Sequence, residues 1–190
     1  DRWEARLDGA PAPSLTELCA QVAVVTFEPG SHDLIGGGGE HRRRFLDWGL
    51  FHVEPEFLPW WRRYARALKQ RNAALKSGPR PATLAPWERE LAEAGEVLTR
   101  LRQAYLGRLE PYIAAQAQTF LAELGPVELD FRPGWKRAEL SLADALLLAR
   151  HALARREAGQ MLCIVAADPA DAQRLVDELP FFAPDLRVAL

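Results

Sequence analysis

Two stretches of the chain repeat apolar residues at alternating steps of three and four, and that spacing constrains the fold more than any other feature. Between residues 54 and 76 the positions are Leu58, Trp61, Ala65, Leu68 and Leu75, with Asn72 in the remaining seam position. From Trp87 the same steps run through Leu91, Ala94, Leu98, Leu101 and Tyr105. This is the period of two helices packed along a coiled-coil seam. The ten residues "SGPRPATLAP" between them read as a turn, and so short a link makes the helices antiparallel. Charge agrees with that pairing. The second half of the first helix carries Lys69, Arg71 and Lys76, and the first half of the second carries Glu88, Glu90, Glu93 and Glu96, so interhelical ion pairs are predicted there. Pro111 removes a backbone donor and leaves the Gly107 carbonyl unpaired, which predicts a kink before the helix resumes to Leu124.

On the N-terminal side, residues 3–8 alternate loosely and meet "DGAPAP", a short strand ending in a turn. Ser14, with Glu17 three residues on, is a capping-box pattern for a helix through Ala20. "QVAVVTF", residues 21–27, is a β-branched run of the kind found in a buried strand, and Pro29 with Gly30 stops it. Residues 1–52 therefore read as an α+β base and residues 53–125 as the helical arm. Within residues 126–140, "PVELDF" alternates as a returning strand and "RPGW" turns it. Residues 141–190 give a helix, the apolar strand "MLCIVAA", a helix opening at Asp168-Pro169, and "LRVAL", the rhythm of a βαβ tail. The expected class is α+β: a small lobe-edge base, a long antiparallel coiled-coil arm and a βαβ tail.

Twenty-four basic against 26 acidic side chains leave a formal charge of −2, so any nucleic-acid role must rest on local clusters of charge. Cys19 and Cys163 lie far apart among apolar neighbours, which fits reduced thiols in a cytoplasmic protein rather than a disulfide framework. No stretch approaches the roughly 18 continuous apolar residues of a membrane span, so no membrane association is expected. The chain begins at Asp1, and its one methionine is Met161, the pattern of a trimmed or incompletely read chain.

No catalytic set emerges. A phosphate-binding loop needs Lys and then Ser or Thr after its last glycine, but Gly36, Gly37, Gly38 and Gly39 are followed by Glu40 and His41. No Walker lysine motif or aliphatic run ending in Asp-Glu occurs in the sequence, so it is not expected to act as an enzyme alone. His32, His41, His52 and His151 lack metal-ligand spacing, and no metal site is expected. The candidate ligand is DNA. Arg42, Arg43 and Arg44 stand at the start of a helix running to Trp48, where cations are disfavoured unless an anion is near. The alternative is a pair between Arg43 and Asp47 one turn on. On the first arm helix, Arg62, Arg63 and Arg66 lie near the arm's base, outside the stretch that helix pairing neutralises. Trp60, Trp61 and Tyr64 accompany them, Trp61 as part of the seam. These six arginines would act on phosphates without reading bases. Docking of a protein partner by the seam and aromatics is the other class of function.

The stretch from Leu15 to about Arg150 resembles RecF, chiefly through "LTELCAQVAVVTFEPGSHDLIGGG", "RRRFLDWGLFHVEPEFLPWWRRYARALKQRN", "WERELAEAGEVLTRLRQAYL" and "LDFRPGWKRAEL". RecF-type proteins are DNA replication and repair ATPases of the ABC class. The resemblance implies an internal fragment, residues 1–150, comprising the edge of an ATPase lobe and the arm. It implies DNA at single-strand/double-strand junctions, RecR- and RecO-type proteins and a second RecF copy as partners. It also implies ATP and magnesium as cofactors of the family, held by residues other than these. The tail departs from the pattern. "HALARREAGQMLCIVAADPADAQRLVDELPFFAPDLRVAL" resembles the N-terminal segment of the transcription-repair coupling factor, which implies a junction of two repair-protein fragments near residues 141–150.

Overall fold

A computed structural model describes residues 4–12, 14–26, 29–76, 81–135 and 140–160. Among these the protein is built mainly of helices. A hairpin pairs β1 (Arg6–Leu7) antiparallel with β2 (Ala10–Pro11), Arg6 facing Pro11. Asp8, at φ 50°, and Gly9, at φ 84°, make its two-residue turn, where positive φ favours glycine and aspartate. The strand expected over residues 3–8 is thus two residues long within the described part. Helix α1 (Leu15–Gln21) follows, and the Ser14 hydroxyl accepts from the Glu17 backbone N–H at 3.2 Å, as the cap pattern predicts.

Two expected strands do not form. Residues 22–26 take no regular structure and stay exposed, Val25 by 84 %. Residues 126–131 are likewise irregular. Both have strand-forming side chains, but a strand is completed only by hydrogen bonds to a neighbour, and neither pairs with a described strand. Among its described residues the expected α+β base therefore contains one short hairpin, with helices and the irregular run 22–26 making up most of the rest. The βαβ tail from Met161 onward, with Cys163, falls outside the described residues.

A four-residue helix α2 (Asp33–Gly36) leads through the glycines into α3 (Gly39–Val53), which runs five residues past Trp48. After a turn comes α4 (Phe57–Lys76), then α5 (Pro81–Phe120), one helix of 40 residues, about 60 Å long. The expected turn at residues 77–86 is shorter than predicted, because α5 already begins at Pro81. Proline suits the first helical position, where its missing N–H would be unpaired in any case. Pro111 lies inside α5, and Gly107, whose carbonyl it leaves unpaired, is exposed to water. The helix ends at Phe120 rather than Leu124, and a 3-10 turn covers Ala122–Leu124. Helix α6 (Leu142–Glu157) is capped by the Ser141 hydroxyl, which accepts from the Asp144 N–H at 3.1 Å.

The pair α4 and α5 is antiparallel: Arg63 meets Glu93, Arg66 meets Glu90, and Arg71 meets Glu88. The face that α4 buries is centred one residue before the predicted one. Phe57, Trp60, Tyr64, Ala67 and Arg71 point inward, each one residue before a predicted seam position; of the predicted positions Leu68 packs on the apolar core beside them and Trp61 is exposed. On α5 the predicted Leu91, Ala94 and Leu98 are buried, and Glu88, Ala92, Gly95 and Thr99 form a second buried face beside them. The second face receives α6. A Cβ on Gly95 would lie 2.5 Å from Leu142 Cδ2 and 3.4 Å from Tyr64 Cε2, so its missing side chain lets both neighbours approach. Glu96, expected to face the basic helix, accepts from the Leu142 N–H at 3.1 Å and so helps to cap α6.

Two apolar clusters result. One gathers Ala67, Leu91, Ala92, Trp135, Leu142, Ala145, Leu146 and Ala149; the other gathers Leu50, Phe57 and Leu98. Tyr64 packs on both. Arg102 donates to both carboxylate oxygens of Asp47 at 2.7 and 2.8 Å, a bidentate pair that fixes α3 on α5. Gly49 faces Tyr105 there: a Cβ would stand 2.1 Å from its Oη and 2.6 Å from its Cζ. Gly49→Ala is therefore expected to cost about 1–3 kcal/mol, since a ring must be displaced from a packed site. Gly39→Ala, with open space around the added carbon, is expected to be neutral or slightly stabilising because alanine favours the helix. Urea denaturation of the two variants measures both.

Candidate nucleic-acid interface

The glycines Gly36 to Gly39 end one helix and begin another. Gly37 N–H donates to the Asp33 carbonyl at 2.9 Å, and a Cβ on Gly37 would lie 2.4 Å from that oxygen, so the turn has no room for a side chain. Glu40 puts a carboxylate in the first turn of α3, and no cluster of potential metal ligands occurs among the described residues.

Each of the six candidate arginines has a definite setting. Arg42 turns back and donates from Nη1 to the carbonyls of Gly37 at 2.9 Å and of Leu34 and Ile35 at 3.3 Å. It thereby satisfies carbonyls left open at the end of α2. Arg43 and Arg44 both reach Glu40, at 2.7 and 3.0 Å. The expected partner Asp47 is instead held by Arg102, because position 47 faces α5 while Arg43 faces solvent. The three arginines against one glutamate leave two net positive charges on this turn.

On α4 the expectation that Arg62, Arg63 and Arg66 escape helix pairing holds for one of them. Arg63 donates to Glu90 at 2.6 and 3.1 Å and to Glu93 at 2.6 Å, and its guanidinium lies over the Trp60 ring at 4.9 Å. Arg66 reaches Glu90 at 3.3 Å. Arg62 is exposed, with no ion pair to a described residue. The acidic run on α5 thus neutralises residues one to two turns nearer the base of the arm than predicted. Arg71 does pair with Glu88, at 3.4 Å, as the charge pattern predicts, while Lys69 and Lys76 are exposed. Glu88 also accepts from Arg150 at 3.0 Å, so two guanidiniums from α4 and α6 close on one carboxylate of α5.

Hydrogen bonds from Arg63 hold the Glu90 carboxyl below the usual glutamate range, and those it donates to Glu90 and then Glu93 raise the Arg63 guanidinium further above its own. A carboxylate depressed by folding stabilises the fold above its unfolded pKa and loses that contribution as pH falls through its folded value. The α4–α5 pairing is therefore expected to weaken below about pH 4.5, the ordinary value for the group. Acid titration followed by circular dichroism checks this: Glu90→Gln should be less stable at neutral pH and show a shallower acid loss.

Of the six candidate arginines, Arg43, Arg44 and Arg62 are those committed neither to another helix nor to backbone carbonyls. Exposed ion pairs such as those to Glu40 contribute about 0–1 kcal/mol and yield readily to a phosphate. Glu40 was not among the predicted site residues, although its spacing of three and four from Arg43 and Arg44 is the signal for such pairing. No helix among the described residues is long and apolar enough to cross a membrane.

Comparison with known proteins places the chain beside one group. It is 64 % identical over 148 residues to the DNA replication and repair protein RecF of Xanthomonas axonopodis pv. citri (strain 306), covering 78 % of this chain and 40 % of that protein. It is 62 % identical over 148 residues to RecF of Stenotrophomonas maltophilia (strain R551-3), covering 78 % and 41 %. RecF of Hydrogenovibrio crunogenus is 35 % identical over 147 residues, covering 77 % and 41 %. The chain spans about two fifths of the length of these relatives. No family model matches, and no solved structure matches.

Proposed function

We propose that this chain is part of a RecF-like DNA replication and repair protein and that it binds the phosphate backbone of DNA where α3 begins. The 64 % identity over 148 residues to a protein of that name carries the reading. The two net positive charges beside Glu40 supply its chemistry, because neutralising phosphates provides most sequence-independent affinity. Arg43, Arg44 and Arg62 make the direct contacts, and Arg42, Arg63 and Arg66 hold the helices that present them. The finer expectations belong to the same proposal. The parent protein loads recombinase at single-strand gaps, meets RecR- and RecO-type proteins and a second copy of itself, and carries its ATP chemistry on other residues. In that division of labour this chain supplies DNA and dimer contacts and is not itself an enzyme.

One observation favours a second reading. Val22, Val24 and Val25 are exposed in an extended run, an apolar surface of the kind that docks protein partners. A non-catalytic interaction module of a repair factor, with a tail like that of the transcription-repair coupling factor, would use it.

Binding of the 190-residue chain to junction and duplex DNA across a salt series separates the two. Affinity should fall steeply with salt, and Arg43→Ala with Arg44→Ala should weaken it and reduce the salt slope by about 2. Glu40→Gln should tighten binding, since it releases both guanidiniums from their internal partner. Salt-independent binding, or no effect of Glu40→Gln and the arginine changes, rejects the phosphate-contact reading.

A further inference from the structure

The exposed aromatic residues of α3 fall on one face. Phe45 and Trp48 are three residues apart and 45 and 39 % exposed, and Arg44 stands four residues before Trp48, so the three are surface neighbours. His41, four before Phe45, extends the same stripe, and Glu40 borders it, paired with Arg44 at 3.0 Å. Trp48 is braced from behind: Phe51 stacks on it with centroids 5.8 Å apart and planes 22° from parallel, and His52 meets it edge-on at 4.5 Å. Phe51 in turn packs on the Leu50, Phe57 and Leu98 cluster. The helix itself is clamped by Asp47 and Arg102. A rigid, half-open indole beside a surplus of positive charge is poorly suited to a purely apolar partner. It matches a ligand with flat faces and a negative backbone, and aromatic rings interleaved with cations are how unpaired strands are held.

We propose that Arg44, Phe45 and Trp48 form a stacking site for unpaired nucleotides of a single strand, with a base against the Trp48 or Phe45 ring and its phosphate at Arg44. This rests on the DNA reading above and adds the residues and the mode of contact. Arg44 and Trp48 are separated along the helix by about 6 Å, within the span of one nucleotide. Stacking uses the face of a base, so the site is indifferent to sequence.

The test compares the intact chain on an oligothymidylate of about 16 nucleotides, an abasic strand of equal length and a duplex, by fluorescence anisotropy. The oligothymidylate should bind about 10-fold or more tighter than the abasic strand. Trp48→Ala and Phe45→Ala should each lower its affinity toward the abasic value, and Trp48→Phe should recover most of the loss. Phe45 lies outside both apolar clusters, so its variant keeps the test valid if Trp48→Ala disturbs the helix. Equal binding to the base-bearing and abasic strands, with salt-dependent duplex binding intact, overturns stacking and leaves the phosphate reading standing; no binding to any of the three overturns both. Self-association in sedimentation that Trp48→Ala abolishes, with oligothymidylate affinity unmoved, assigns the face to a second copy and also overturns the proposal.

Discussion

Glu88 is the point on which the helical assembly depends. Its carboxylate is buried on α5 and takes one guanidinium from α4, Arg71, and one from α6, Arg150. Charges removed from water are strongly destabilising unless paired, so the three helices can approach only in the register that brings these groups together. The register then determines what else is buried. With Arg71 pointing inward, Ala67, Tyr64, Trp60 and Phe57 follow at steps of four and three, while Trp61 and Arg62 turn to solvent.

That same register decides which basic residues are available to a ligand. Antiparallel pairing sets Arg63 and Arg66 against Glu90 and Glu93, and Arg71 against Glu88, so half of the basic residues of α4 are neutralised by its neighbour. A second group of positive charges lies on the first turns of α3, held on α5 by the Asp47 and Arg102 pair and by the close seat of Gly49. A clamped helix presents its side chains with little entropy left to lose on binding. The charged turn and the aromatic stripe share that helix, and both function proposals draw on its rigidity.

Much of the helical part was legible in the sequence. Ser14 and Glu17 mark the start of α1, the alternating steps mark α4 and α5, and the basic and acidic halves indicate their direction. The buried face of α4 is centred one residue before the predicted seam because an apolar count leaves Arg71 outside, whereas a buried ion pair reverses the preference at position 71. The valines at positions 22, 24 and 25 report a propensity for strand, but pairing is a property of the neighbour, which a local reading cannot supply. In the candidate interface the cluster Arg42 to Arg44 was visible as charge. The division between Arg42, spent on backbone carbonyls, and its two neighbours, spent on Glu40, depends on the turn at Gly37, which only the folded chain reveals.

DNA is expected to meet α3 and to leave Arg63, Arg66 and Arg71 of α4 on their partners in α5. Hydrogen–deuterium exchange of the chain with and without junction DNA tests it most directly. Protection gained over residues 39–53, with residues 57–76 unchanged apart from the region of Arg62, is the expected result. Protection gained along α4 at Arg63 and Arg66, with α3 unchanged, would contradict it.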